Sequence, residues 1–348
     1  MGVNLRGLIP GDVKKEVDLR DLKGRIIALD AYNMLYQFLA AIRQPDGTPL
    51  MDHEGRITSH LSGLFYRSIN MAEEGVKPAY VFDGNPPEMK RAEIKKRMEM
   101  KLEADKKYKK AVEAGDIGAM RKYAQATARL TSEMVEESKL LLKSMGIPFI
   151  QAPQEGEAQA AYIARKGDAW ASGSQDYDSF LFGTPRLVRN LGITGRRKLP
   201  GRDLYTDIKP EVVELDILLK SLGISREQLV LIGIMLGTDY NPGGLKGVGP
   251  KTALKLVKTL GNMEEIIKYI EVSANIDVRR VFDYFMNPVV TNDYIITWSQ
   301  PNEKEIYRIL VEIHDFNPTR VEKAIERLRK AYRENLRTQM TSLDKWFS

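Results

Sequence analysis

Four carboxylates stand in two close pairs: Glu155 and Glu157 in "QAPQEGEAQAAYIA", and Asp176 and Asp178 in "GSQDYDSFLF". Three more acids sit where short apolar runs stop or turn: Asp30 after "GRIIAL", Asp83 after "KPAYVF" and Asp239 in "GTDYN". Gathered in one cleft, such acids would repel strongly: two carboxylates about 4 Å apart cost roughly 4 kcal/mol at an effective dielectric near 20. A set of this kind needs protons or cations. Oxygen-only ligands select hard cations, Mg²⁺ with Mn²⁺ able to substitute. Two such ions about 4 Å apart suit in-line hydrolysis of a phosphodiester.

Composition narrows the chemistry further. The 348 residues include no cysteine, which removes thiolate ligands, cysteine nucleophiles and disulfides. The three histidines, His53, His60 and His314, are scattered along the chain, which argues against a histidine-centred metal site or a Ser-His-Asp triad. Catalysis is left to carboxylates, lysines, arginines and metals. The formal net charge is +6, which fits a polyanionic partner. No run of about 18 apolar residues offers a membrane span. The N-terminus lacks a secretory pattern, so the expectation is a cytoplasmic protein without a membrane.

The acids need elements to carry them. "GRIIALDAYNMLYQFLAAIR" reads as a strand over Ile26 to Leu29 running into a helix. "KPAYVFDGNPP" gives a second strand, Ala79 to Phe82, before a Pro-Pro stop. "LLLKSMGIPFIQAPQEGEAQAAYIARKG" is helix, strand (Pro148 to Ile150), loop, helix, and "AWAS" starts another strand. Strands alternating with helices predict an α/β fold with a mostly parallel central sheet flanked by helices. Ligands of such sheets collect at the carboxyl ends of the strands, where most of these acids fall. Residues two apart in an extended segment point the same way, so each pair is expected to face one point.

Residues 88–135 form a polar helical insertion; between Glu88 and Lys110 ten residues are basic and five acidic. Its spacing shows little apolar face, and it reads either as a solvated helical hairpin or as an arch, a mobile element over the site that handles a phosphate backbone. Residues 225–262 read as helix, Gly-rich turn, helix, with "GVGPKTA" (Gly247 to Ala253) at the turn. There backbone N–H groups and a helix N-terminus can hold a phosphate, aided by Lys251 and Thr252. Gly247 and Gly249 permit close backbone approach. A P-loop is excluded because Pro250 stands where GxxxxGK[ST] needs glycine. Residues 302–338 read as a strand followed by a basic helix, and residues 339–348 as a tail after a single domain spanning 1–338.

The segments "ALDAYNMLYQFL", "VFDGNPPEMKRAEIKKR", "APQEGEAQAAYIA", "SGSQDYDSFLFG" and "GTDYNPGGLKGVGPKTALKL" together resemble the flap endonucleases of the XPG family of structure-specific 5′ nucleases, archaeal type. The resemblance runs over essentially the whole chain. It implies a PIN-like nuclease fold that cuts DNA at the base of 5′ flaps, with 5′-3′ exonuclease activity, in replication and repair. It implies two metal ions on Asp30, Asp83, Glu155, Glu157, Asp176, Asp178 and Asp239. Lys90 and Arg97 would be its catalytic pair, polarising the scissile phosphate. Tyr36 would stack on a base beside the scissile bond, and Gly2 would be a processed N-terminus near the junction. A helix-hairpin-helix at the Gly-rich turn would hold duplex phosphates and a K⁺ ion. Leu343, Trp346 and Phe347 match a motif for a sliding clamp of the PCNA type, except that the glutamine position is Met340, with Gln339 one residue early. The partners implied are flapped DNA and the clamp, met by a monomer.

Three other readings stand beside this one. They are a non-catalytic DNA-binding scaffold that recruits the clamp, a family member specialised for gaps, bubbles or junctions, and a ribonuclease on a similar sheet.

Overall fold

The computed structural model describes the chain except residues 1, 117, 120–122, 124–128, 193–195, 199–204, 275 and 348; for 196–198, 205–207 and 336–347 the backbone alone is described. The strands are β1 (Lys15–Glu16), β2 (Ile26–Asp30), β3 (Lys77–Phe82), β4 (Phe149–Gln151), β5 (Ala171–Gly173), β6 (Arg186–Arg189), β7 (Arg196–Lys198), β8 (Tyr205–Asp207) and β9 (Glu211–Glu214). The first helices are α1 (Ala31–Ala41), α2 (Ser59–Glu73), α3 (Arg91–Glu113), α4 (Ser132–Ser144), α5 (Gly156–Lys166) and α6 (Leu215–Leu222). They are followed by α7 (Arg226–Leu236), α8 (Pro250–Leu260), α9 (Met263–Ser273), α10 (Val278–Met286), α11 (Glu303–Tyr307) and α12 (Pro318–Phe347).

Seven strands form one sheet in the order β1-β9-β6-β5-β2-β3-β4. β6, β5, β2, β3 and β4 run parallel, as expected. The sequence reading did not include the edge: β9 pairs antiparallel to β6, and β1 antiparallel to β9. Strand alternation sorts the residues by size. Ile27, Leu29, Tyr80 and Phe82 face one core with Leu35, Phe38 and Phe65 of α1 and α2. Ala28, Ala79 and Val81 face the other way, onto Ala160 and Ile163 of α5. Small residues on both sides let α5 lie close over the sheet centre. A second large core, including Leu181, Leu231 and Phe285, joins α7 and α10 to the region after β5.

One expectation fails on the C-terminal side. Residues 303–313 are helical, not a strand: α11 runs into a π-helical turn over Arg308–Ile313. Asn302 caps α11 by accepting from the Glu305 N–H at 3.2 Å, and Ile306, Ile309 and Leu310 are buried at helical spacing. The last residues, read as a tail, continue α12 to Phe347 in their backbone. The side chains of Leu343, Trp346 and Phe347, like part of the 88–135 insertion, lie outside the described residues.

The histidines, scattered in sequence, converge in space. His60 and His314 each approach Glu137 of α4 at 3.4 Å, and His314 Nδ1 lies 3.0 Å from Asp52. His53 contacts the neighbouring Asp315. No acid of the proposed site appears in these pairs.

Candidate active site

Each acid-bearing segment is fixed locally. Asp30 ends β2 and caps α1, accepting from the Asn33 N–H at 2.9 Å. Asp83 follows β3 and accepts from the Gly156 N–H at 2.6 Å. A Cβ at position 156 would stand 2.7 Å from Asp83 Oδ1 and 2.9 Å from the Val81 carbonyl. That close approach is why glycine separates Glu155 from Glu157. Asp176 and Asp178 meet the N-terminal segment: the Gly2 N–H donates to Asp176 at 3.3 Å and the Val3 N–H to Asp178 at 2.6 Å. A Cβ on Gly2 would lie 2.6 Å from Asp178 Oδ1, so this end of the chain is packed into the acids.

The acids do come together, but not as two facing pairs. Glu155 precedes α5 and Glu157 lies in its first turn, while Asp178 opens a 3-10 turn. The start of α5 separates Glu155 from Glu157, so that pair diverges, whereas Asp176 and Asp178 stay together beside Gly2 and Val3. Glu157 accepts from Ser179 Oγ at 2.6 Å and acts electrostatically on Asp178, Asp30 and Asp176. Glu155 instead faces Lys90, Asp83 and Asp239. The result is two lobes, Asp83–Glu155–Asp239 and Asp30–Glu157–Asp176–Asp178, linked where Asp30 faces Asp83 and Asp178 faces Asp239.

Crowding shows in the acidities. Burial first, then Asp83 and Asp176, push Asp30 up to about 8, against the Asn33 N–H. Burial and Asp176 push Asp178 up to about 7. Glu157 rises well above the carboxylate range through burial and then Asp178. Burial also raises Asp83 and Glu155, although Lys90 works the other way.

Lys90 and Arg97 reach this cluster from the start of α3. Lys90 Nζ lies 2.5 Å from Glu155 Oε2 and 3.4 Å from Asp239 Oδ2. Burial would lower its pKa, but Glu155, Asp239 and Asp83 outweigh burial and raise it. Arg97 pairs with Asp239 and donates from Nε to Glu93 at 3.0 Å. Tyr36, on α1, is partly exposed; Lys101 Nζ lies 4.5 Å from its ring centroid and 3.2 Å from its hydroxyl.

The Gly-rich turn lies between α7 and α8. Gly247 takes the left-handed conformation at φ 80°, whereas Gly249 is extended at φ −96° and precedes Pro250 at the start of α8. Only one of these two glycines therefore uses a positive φ. Lys251 and Thr252 are exposed on the first turn of α8.

Sequence reasoning missed Asn33. Its Nδ2 donates to Asp176 at 3.1 Å, and its Oδ1 accepts from the Gln175 N–H at 3.2 Å and from Gln37 at 2.5 Å. With the bond from its N–H to Asp30, it ties two acid-bearing segments together. Only its place three residues after Asp30 hinted at this. Ser179, which holds Glu157, was also missed.

The donor set fits hard divalent cations: it is all oxygen and crowded, and a cation would relieve the repulsion that raises these carboxyls. As the side chains stand, no three acids among the described residues close on one cation position. The Lys90 ammonium lies between Glu155 and Asp239 instead.

Comparison with known proteins places the family. The XPG N-terminal domain model matches residues 1–104 and the XPG I-region model residues 146–239. Flap endonuclease 1 of Aeropyrum pernix is 64% identical over 100% of both chains. The solved flap endonuclease-1 of Methanococcus jannaschii superposes with a TM-score of 0.76 at 42% identity, covering 95% of this chain and 98% of its own. The catalytic core of Rad2, solved with a DNA substrate, shares the fold at a TM-score of 0.70 and 24% identity over 94% of this chain and 100% of its own. The chain belongs to the XPG family, in its flap endonuclease branch.

Proposed function

We propose that the chain is a structure-specific nuclease that hydrolyses a DNA phosphodiester at the base of a 5′ flap and also trims 5′ ends, in replication, lagging-strand fragment maturation and long-patch base excision repair. The observation that carries this reading is the set of seven acids in two linked lobes under the basic start of α3.

Asp83, Glu155 and Asp239 would hold one Mg²⁺, and Asp30, Glu157, Asp176 and Asp178 the other, with Mn²⁺ able to substitute. Bound there, two divalent cations supply positive charge against the phosphate and acidify water. The chain's own residues do the rest. Lys90 and Arg97, which pair with Glu155 and Asp239, would hold and polarise the scissile phosphate. The Gly2 and Val3 N–H groups, Asn33, Ser179 and Gly156 keep the acids oriented. Tyr36 stacks on a base. The turn at Gly247, Gly249, Lys251 and Thr252 binds duplex phosphates without reading bases, with a K⁺ ion there. Residues 1–338 act as one nuclease domain and as a monomer, and residues 339–348, with Leu343, Trp346 and Phe347, engage a sliding clamp.

The test is single-turnover cleavage of a double-flap DNA in Mg²⁺ or EDTA, beside gapped, bubble, four-way-junction and unflapped substrates. The expected result is Mg²⁺-dependent release of the intact 5′ flap, with much slower cutting of the others. Asp178→Ala should abolish cleavage and keep binding. Binding without cutting by the unaltered chain would return the protein to the scaffold reading.

A further inference from the structure

Asp30 and Asp83 stand at the carboxyl ends of β2 and β3. At the opposite ends of the same strands lies a cavity of about 310 Å³, between the sheet, α2, α12 and residues 296–299. Ile26 and Pro78 line it from the sheet, Val76 and Ile147 from the turns into β3 and β4, and Leu328 and Tyr332 from α12. Residues 296–299 are tied to this floor. The Ser299 N–H donates to the Gly146 carbonyl at 2.9 Å, and the Trp298 indole N–H to the Pro78 carbonyl at 3.1 Å. Gly146 permits that approach, because a Cβ there would run into the Ser299 carbonyl oxygen. A mostly apolar space of this size, with a few placed polar groups, is that of a small-molecule site.

Among the described residues, the lining holds one charged side chain, Lys77. It is half-buried at the start of β3, with its ammonium 5.7 Å from the centre of the Trp298 ring. Burial lowers its pKa, and no carboxylate among the described residues works against that. A partly desolvated cation is costly without a counter-ion, and an aromatic face compensates only part of the cost. The cavity is thus complementary to an apolar body that carries a negative charge at one end.

We propose that this cavity binds a small amphipathic anion, with its apolar body among Val76, Ile147 and Leu328 and its anionic head on the Lys77 ammonium. A neutral body of the same shape leaves Lys77 without a counter-ion, and a cationic one is repelled by it. The site lies at the other end of the strands from the acids, so its occupant does not compete for them. It joins α12 to the sheet instead, because Leu328 and Tyr332 meet the same molecule as Ile26 and Lys77.

The probe is octanoate, titrated in EDTA against the full chain with ¹³C-labelled methionine methyl groups. Met145 lines the cavity and is buried, so its NMR signal, assigned through Met145→Leu, reports occupation of this site. Met235, in the second large core, is the control. The expected result is a saturable shift of the Met145 signal with Met235 unmoved. Octan-1-ol should bind about tenfold more weakly, for want of the charged contact. Lys77→Met, which keeps the apolar stem, should weaken octanoate about tenfold and leave octan-1-ol unchanged. Ala72→Leu, which fills the cavity from α2, should abolish both; if it does not fold, Lys77→Met carries the test. A Met145 signal that stays still up to the solubility limit of octanoate would overturn the proposal. So would equal affinity for octanoate and octan-1-ol, or an unweakened Lys77→Met chain. Binding that appears only after removal of residues 339–348 would overturn it too, because the chain's own end would then fill the cavity.

Discussion

Glu137→Gln is expected to cost about 3 kcal/mol of stability and to change the shape of its pH dependence. Glu137 on α4 meets His60 of α2 and His314 beyond the π-helical turn, each at 3.4 Å. Around His314 stand Asp52 at 3.0 Å and, through Asp52, Arg56 at 2.7 Å. Burial alone would raise the Glu137 carboxyl, but His314 and His60 outweigh it and bring it from 4.5 down to about 2. A tenfold change in proton affinity is worth about 1.4 kcal/mol, so this drop corresponds to about 3 kcal/mol. The carboxylate is depressed, so its contribution is present above the unfolded value near 4.3 and is lost as pH falls toward 2. His314 is raised: burial lowers it, but Glu137 and Asp52 prevail. Its contribution is therefore full below about 6.5 and is lost as pH rises through its folded value. The assay is guanidinium unfolding followed by circular dichroism between pH 3 and 9 in EDTA. The unaltered chain should lose stability at both ends. The variant should start about 3 kcal/mol lower near pH 6, with both slopes reduced. A variant within about 0.5 kcal/mol of the unaltered chain, or one with the same slope above pH 6, would refute the argument.

Three further outcomes are expected. Asn33→Ala leaves Asp176 without its side-chain donor and should raise the Mg²⁺ concentration for half-maximal cleavage several-fold, with flap affinity in EDTA unchanged; a purely structural role would lower stability and leave the Mg²⁺ dependence alone. Gly156→Ala drives a Cβ to 2.7 Å from Asp83 Oδ1 and should cost about 1–3 kcal/mol by denaturation along with most of the cleavage rate. Removal of residues 339–348 should leave cleavage without the clamp unchanged and abolish stimulation by the clamp, measured as initial rate against clamp concentration.

The sequence carried the sheet and the acids for one reason: both are local. Asp30 follows an apolar run and precedes a helix, and that junction can be read from "IIALDAYN" without knowing what lies beside it. The antiparallel edge could not be read so, because the pairing of Lys15 with Val212 joins distant segments. The histidine cluster was hidden likewise, since Asp52 and His314 lie 262 residues apart. Residues 302–313 misled because a short apolar run fits strand and helix equally; Asn302 as a cap settles it.

The lobes of the site show most clearly where reading by spacing stops. Two acids two residues apart share a side only in an extended chain. Here the first turn of α5 begins between them. That sends Glu155 toward Lys90 and Glu157 toward Ser179, so one pair serves both lobes. The same divergence links α3 to the acids. Glu155 and Asp239 hold Lys90 and Arg97, and this pairing offsets part of the repulsion among the acids. The start of α3 is thus tied to the acids by the charge that one member of a pair carries away when a helix begins between them.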